Sequence, residues 1–507
     1  MTISSRVRRN IAANLGGGVW AGLMSLVFIP LYIRFMGIEA YGLVGFFLTL
    51  QSLFALLDLG LATTLNRELA RLSAFRSDEA WAEMRDLLRT VEIVYSSMAV
   101  LIGLIIIALA HVITVRWINV QHLPLATVER SVMLMGVIAA AQWPLGLYSG
   151  GLQGLQEQVE LNVINAVAAT LRGAGALLVL WLVSPTIVAF FVWQFVISLA
   201  QTVACALFLW RSIGSAGRAR FSPRLLRSVW TFAAGMMWIA LLSIGLTQLD
   251  KIVLSRMLSL TAFGYYAIAA AVAASLYRII TPVFTALFPR FSQVVAAGEG
   301  EGLAALYHRA SKLVVVVVVP AAIFIAAFSA EVLLLWTRNG AIAANAHLVL
   351  SLLILGTAVN GVMTIPYALQ LAHGWTRLSA ATNTVAVILL GPALYFGTSR
   401  YGTAGAAAVW LAYNAVAAVV IAWLMHRRLL PQERRRWVLH DVAAPAAVAA
   451  LLALLARPLV ARMTGPAQLV ALAVTACAMQ SAALLTMPDV RQIVRRLVLR
   501  YAPALLP

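Results

Sequence analysis

Apolar stretches of about 20 residues or more recur along the whole chain, and short connectors between them carry most of its arginines. As an α-helix, a stretch of that length crosses about 30 Å of hydrocarbon. Lipid offers no partner to backbone N–H and C=O groups, so each stretch must satisfy them internally, as a helix does. Fourteen stretches qualify, at about 11–33, 41–65, 91–114, 131–152, 158–183, 186–210, 228–249, 263–287, 313–335, 345–371, 378–397, 403–425, 441–460 and 467–487. Composition points the same way. The chain is 62% hydrophobic and 11% charged, whereas soluble domains carry about 25% charged residues. The expected fold is an all-α polytopic membrane protein with about fourteen transmembrane helices.

A net charge of +19 is a feature of nucleic-acid binders, but its placement here follows membrane topology instead. With the N-terminus on the inside and sides alternating, 26 of the 37 Lys and Arg fall in inward segments and nine in outward ones. The other two, Arg172 and Arg278, lie within spans. This bias predicts both termini in the cytoplasm. No connector is long enough for a soluble domain. The longest inward one, 66–90, mixes Arg with acids and is expected to form a short surface helix. The tail from Val490 places Val490, Ile493, Val494, Leu497, Val498 and Tyr501 at helical spacing opposite four arginines. It reads as an amphipathic helix on anionic lipid, or as an ordinary positive helix end. Cys205 and Cys477 both fall in apolar stretches and form no metal or disulfide pattern.

An internal repeat is visible. Arg34 to Gly42 and Arg256 to Gly264 share the frame R-x5-A-[YF]-G at an offset of 222, and the same offset carries Pro144 onto Pro366. The expected organisation is therefore two six-helix bundles, 1–215 and 216–430, followed by a segment 431–507 with two more helices and the tail. An even number of helices per copy makes the repeats parallel, related by an axis along the membrane normal. Two such bundles are expected to flank a central cavity and to work by rocking.

The opening, NLGGGVWAGLMSLVFIPLYIRFMGIEAYGLVGFFLTLQSLFALLDLGLATTLNRELARL, resembles the start of bacterial polysaccharide transporters, the Wzx-type flippases. Arg34, Gly37, Tyr41, Gly42, Gly60, Arg67 and Phe288-Pro289-Arg290 carry the resemblance, which covers about the first 425 residues. That family shares a superfamily with MATE antiporters and the lipid II flippase MurJ, and the extra helix pair is similar to the MurJ layout. The resemblance implies a cargo, an oligosaccharide on an undecaprenyl pyrophosphate carrier. It also implies a place, the bacterial inner membrane, and a pathway, the synthesis of O-antigen, exopolysaccharide or capsule. A polysaccharide polymerase and export machinery are the candidate protein partners, with membrane lipid around the chain and no nucleic acid.

Charged groups inside spans are the first candidates for mechanism, because an arginine near the bilayer centre costs about 2.5–3.5 kcal/mol. Arg278 and Arg172 are candidate cavity cations for the pyrophosphate, since guanidinium offers paired donors to phosphate oxygens. The resemblance also implies a cavity arginine on the helix that holds Arg278. Arg172 has a second reading: Gly173, Ala174 and Gly175 beside it favour close packing, so it could serve structure. Asp58 is a candidate for binding a coupling cation from a proton or sodium gradient, for neutralising either arginine, or for reaching water. Asn162, Asn165, Gln142, Asn360 and Gln370 are candidates for a sugar path or for interhelical hydrogen bonds. No cofactor or metal is expected, and no Walker A or HExxH pattern appears. The chain is expected to be a transporter and no enzyme: a flippase working by alternating access, with a MATE-like cation-coupled drug or metabolite antiporter as the alternative. One clear intramembrane Asp against two Arg favours the anionic cargo.

Overall fold

The computed structural model of the chain describes residues 5–54, 61–73, 75, 77–214, 219–225, 227, 245, 247–298, 300–487 and 491–492. Asp58 and the tail beyond 492 lie outside the described residues, as does nearly all of the expected span 228–249.

The described chain is helical from Ser5. α1 (Ser5–Val27) and α2 (Ile29–Met36) form one span broken at Phe28, with Pro30 in the first turn of α2. Proline belongs there, because its missing N–H would be unbonded anyway. Then come α3 (Ile38–Phe54), α4 (Leu61–Leu72), α5 (Asp78–Arg116), α6 (Leu125–Gln142), α7 (Pro144–Gly154), α8 (Gln158–Thr170), α9 (Ala176–Leu182) and α10 (Ile187–Ile213). A π-turn, Leu171–Gly175, joins α8 to α9. After it follow α11 (Leu260–Ala274), α12 (Tyr277–Ala296), α13 (Gly300–Ala327), α14 (Ser329–Thr337), α15 (Gly340–Val362), α16 (Thr364–Ala372) and α17 (Thr376–Leu429). A second π-turn, Trp437–Ala443, leads into α18 (Ala444–Ala461), and α19 (Gly465–Leu484) follows.

Among the described residues, eleven helices are long and apolar enough to cross a membrane. The 54-residue α17 holds two expected spans, 378–397 and 403–425, because Gly402 (φ 57°) reverses the chain between them. The expected span 41–65 begins as the shorter apolar helix α3. The chain is a multi-pass membrane protein.

By packing, the chain separates into two units, Met1–Ala267 and Ile268–Pro507. In unit 1 the repeat frame becomes a contact. Gly42 leaves no room for a Cβ against the Leu260 carbonyl, and Gly264 leaves none against the Ile38 carbonyl. Each pair of matching residues is separated by 222, so the contact is reciprocal under the repeat. The α5–α6 connector clasps this joint. Asn119 accepts from the Leu260 N–H at 2.9 Å, and the buried Glu39 carboxylate accepts from the N–H of Gln121 at 2.6 Å.

Segment 66–90 comprises the end of the short helix α4 and the start of α5. Leu65, Leu69, Leu72, Met84, Leu87 and Leu88 recur at helical spacing and are buried in one core with Leu147 and Leu209. The charged residues take the opposite face, where Arg71 pairs with Glu68 at 2.8 Å. α4 is thus amphipathic, and α5 extends its span as an amphipathic helix.

In unit 2, α18 and α19 pack on α13 through Ala449, Ala453 and Met479 against Ile323 and Phe324. The Gln480 side chain donates to the Val316 carbonyl at 2.9 Å. His308 of α13 lies between Asp441, in the second π-turn, and Glu433, 2.8 Å away. The same imidazole therefore ties the added helices to the rest of the unit.

Candidate functional site

In unit 1 the span α6–α7 breaks at Trp143, just before Pro144. Past the break, Gly150 and Gly154 press against the α4 backbone at Ala62 and Asn66, where a Cβ would collide with carbonyl oxygens. This contact fixes the rotation of α7 and turns Ser149 and Gln153 toward a cavity of about 610 Å³. Gln51, Tyr95, Gln142, Trp143 and Asn165 also line it, and no charged residue is among its described walls. The Gln51 amide donates to Gln142 at 2.6 Å. Tyr95 and Trp143 stand with ring centroids 6.1 Å apart. The Tyr95 side chain is 1% exposed. Neither its hydroxyl nor the Trp143 indole N–H has a hydrogen-bond partner among the described residues. A buried donor without a partner is costly, and these two sit in the wall of a cavity large enough to hold one.

Arg172 stands behind this cavity. It lies in the π-turn, which frees backbone carbonyls that side chains then collect. The Tyr32 hydroxyl donates to the carbonyls of Arg172 and Gly173, both at 3.1 Å, and the Trp193 indole donates to Leu171 at 2.8 Å. Gly173 and Gly175 leave no room for a Cβ against Phe28 and Trp193. The packing reading of this glycine pair therefore has a physical counterpart. The guanidinium itself donates to Gln201 at 2.8 Å and to Ser198 at 3.2 Å. Gln201 in turn donates to Asn165 at 2.8 Å, and Asn165 lines the cavity. Among the described residues no carboxylate pairs with Arg172. Two amides thus link it to the cavity, whose described lining holds no acid.

Asn162 takes another place. It donates to Asn14 of α1 at 2.6 Å and to the Gln158 carbonyl at 2.7 Å. Asn10 and Trp20 continue this polar seam, bonding to Gln156 and Thr170. It joins α1 to α8, and Asn162 is absent from the cavity lining.

Unit 2 contains a smaller polar pocket of about 180 Å³ beside the break between α15 and α16. Asn360 and Gln370 both line it. Asn360 accepts from the Tyr277 hydroxyl at 3.0 Å and donates to Asn414 at 2.9 Å. Gln370 is 1% exposed. Its carbonyl oxygen accepts from Ser379 at 3.3 Å, while its Nε2 has no partner among the described residues. Arg278 lies in the first turn of α12, near the middle of the apolar run Leu260–Ala296, with an exposed side chain. Among the described residues no cluster of His, Cys, Asp or Glu has a metal-binding arrangement.

Sequence reasoning missed Tyr95, Ser149 and Gln153 as cavity residues. A signal for the last two was present, since Gly150 and Gly154 at a spacing of four mark a helix face that must touch backbone. Nothing local marks Tyr95.

The fold and this cavity define a class: a polytopic carrier built from helical units with polar interiors. The fold is similar to that of lipid II flippase MurJ in an inward closed conformation (TM-score 0.70, 12% identity, 96% of this chain and 99% of that one). It is also similar to an inward-facing multidrug resistance MATE family transporter of the MOP superfamily (TM-score 0.62, 14% identity, 86% of this chain and 97% of that one). The polysaccharide biosynthesis protein family model matches residues 7–295, and the chain belongs to that family. A provisionally named O-antigen transporter of Shigella flexneri is 22% identical over 314 residues, 61% of this chain and 73% of that protein.

Proposed function

We propose that the chain is a flippase that turns a polyprenyl-pyrophosphate-linked oligosaccharide from the cytoplasmic to the outer leaflet of the bacterial inner membrane, for cell-surface polysaccharide synthesis. The observation that carries this reading is the cavity of unit 1, walled by amides and an aromatic pair, with no carboxylate among its described residues. Amide groups exchange hydrogen bonds with sugar hydroxyls, and ring faces suit the apolar faces of sugars. A carrier for organic cations would call for a carboxylate, and here a hydrogen-bonded chain through Gln201 links the lining residue Asn165 to the Arg172 cation.

Arg278 supports the same cargo. An arginine exposed at mid-span is expensive against hydrocarbon, so its side of α12 belongs to a wet path. Arginines suit a pyrophosphate, which remains an anion throughout. The mechanism in this reading is alternating access, driven by a proton or sodium gradient, with Asp58 as the candidate coupling site. The likeness to a provisionally named O-antigen transporter and to the folds of a lipid II flippase and a MATE transporter supports a role without covalent chemistry.

The test is transbilayer movement of a pyrophosphate-linked oligosaccharide in proteoliposomes. Wild type should move it, while Arg278→Ala, inserted and folded, should move it at least about tenfold more slowly. If wild type moves no such lipid but exchanges an organic cation for protons, the antiporter reading replaces this one.

A further inference from the structure

His308 of α13 has both ring nitrogens against carboxylates, Nδ1 against Asp441 and Nε2 against Glu433 at 2.8 Å. A carboxylate only accepts hydrogen bonds, and a neutral imidazole has one N–H to give. Two such contacts therefore require one further proton. It makes the ring an imidazolium, or it sits on one of the two carboxyls. Turning the ring over does not remove the need. A ring carbon would then replace the nitrogen 2.8 Å from Glu433, well inside the about 3.3–3.6 Å of a C–H···O contact.

The surroundings set this cluster apart from a surface ion pair. The His308 and Asp441 side chains are 6% and 5% exposed, while that of Glu433 is 27% exposed and is the open end. Tyr307, His426 and Trp437 are buried beside it, with the Tyr307 ring 5.6 Å from the rings of both histidines. His426 is satisfied as a neutral ring. Its Nδ1 donates to the Ala422 carbonyl at 2.7 Å, which leaves Nε2 to accept from the Tyr307 hydroxyl at 3.2 Å. Of two neighbouring histidines, only His308 needs the extra proton. Arg436 stands 3.9 Å from Glu433, and Lys312, Arg434 and Arg491 are further cations around the cluster. Asp441 comes from the second π-turn, and such turns are rare and frequent at functional sites.

We propose that His308, Asp441 and Glu433 form a proton-binding site, and that the bound proton fastens the connector between α17 and α18 to α13. Without it, one N–H cannot serve two carboxylates. Asp441 is buried in helix and keeps its contact. Glu433, at the open end, turns to Arg436 and water and releases the connector with Arg434, Arg435 and Arg436. Two carboxylates favour the charged ring in the folded protein. The fastening is therefore complete below about pH 6.5, where a histidine is charged even in an unfolded chain, and is lost at alkaline pH as the proton leaves. This inference is independent of the cargo.

The test uses the untagged full-length protein in proteoliposomes. Solid-state NMR of ¹⁵N-histidine at pH 8 should show an imidazolium signal that His308→Gln removes. Hydrogen exchange of 430–443, corrected for its intrinsic pH dependence, should be slow at pH 6. By pH 9.5 it should quicken at least about tenfold, the loss of one hydrogen bond to a charged group. Glu433→Gln changes a part-exposed position and keeps the packing. Its amide donates to the neutral ring while the ring donates to Asp441, so 430–443 should stay protected with no rise at pH 9.5. Neutral histidines throughout at pH 8, an imidazolium signal that survives His308→Gln, or a Glu433→Gln protein whose exchange climbs with pH as in wild type would overturn the inference.

Discussion

The two units both break a span beside a proline, at Trp143–Pro144 and at Met363 ahead of Pro366, yet they surround different spaces. Unit 1 has a wide cavity with amides and an aromatic pair. Unit 2 has a narrow polar pocket backed by a long apolar groove. The difference teaches that a repeated backbone break only creates room. The side chains of neighbouring helices decide the chemistry of that room. In unit 1 the neighbours are Gln51 and Tyr95, and in unit 2 they are the apolar legs of α17.

The sharpest test of this comparison sets the two mid-span cations against each other. Arg278→Ala should reduce oligosaccharide flipping at least about tenfold, and up to about a hundredfold, the range that losing hydrogen bonds to a charged group covers. Arg172→Ala should cost less, about tenfold, because Gln201 and Asn165 remain to line the path. Equal losses, in proteins of equal stability, would mean that both cations meet the cargo directly.

Next in size is the joint that the repeat makes. Gly42→Ala and Gly264→Ala each push a methyl into a carbonyl of the other frame. Each should lower stability by about 1–3 kcal/mol, read as a fall in the detergent melting temperature. A fall for one and none for the other would break the reciprocity.

Tyr95→Phe removes a hydroxyl that has no partner among the described residues. Stability should hold or rise slightly, while oligosaccharide flipping should fall about two- to tenfold, the loss of one hydrogen bond to cargo. Unchanged transport would make Tyr95 a packing residue. The smallest effect is expected from Gln51→Leu, which deletes the interhelical amide pair with Gln142. Such bonds average about 0.6 kcal/mol in membranes, so a melting-temperature shift near the limit of measurement is expected.

Much of the fold was legible because hydropathy is a property of each segment alone. The helix starting at Ile187 and the break at Gly402 could both be read before any packing was known. The repeat frame was legible for a related reason. Close backbone contact demands glycine, and Gly42 and Gly264 meet that demand at matching positions. The site was less legible. Asn162 and Asn165 lie three residues apart and carry the same side chain. One joins the seam with α1, and the other faces the cavity through Gln201. No local pattern separates them, since the difference depends on how α8 is rotated between two neighbours. The π-turn at Leu171–Gly175 likewise depends on Tyr32 and Trp193 collecting its carbonyls from other helices.

What the sequence by itself determined was where the apolar segments lie, where the chain turns, and which frames repeat. Each follows from the transfer of a segment into hydrocarbon or from one residue's steric limits. Only the tertiary structure decided that Arg172 is held by amides and a hydroxyl, that Tyr95 and Trp143 share a cavity wall, and that the groove of α17 meets a polar pocket. Those outcomes depend on the rotation and spacing of helices far apart in the chain. A polar group in a membrane protein takes its role from whichever partner that packing brings within hydrogen-bond reach.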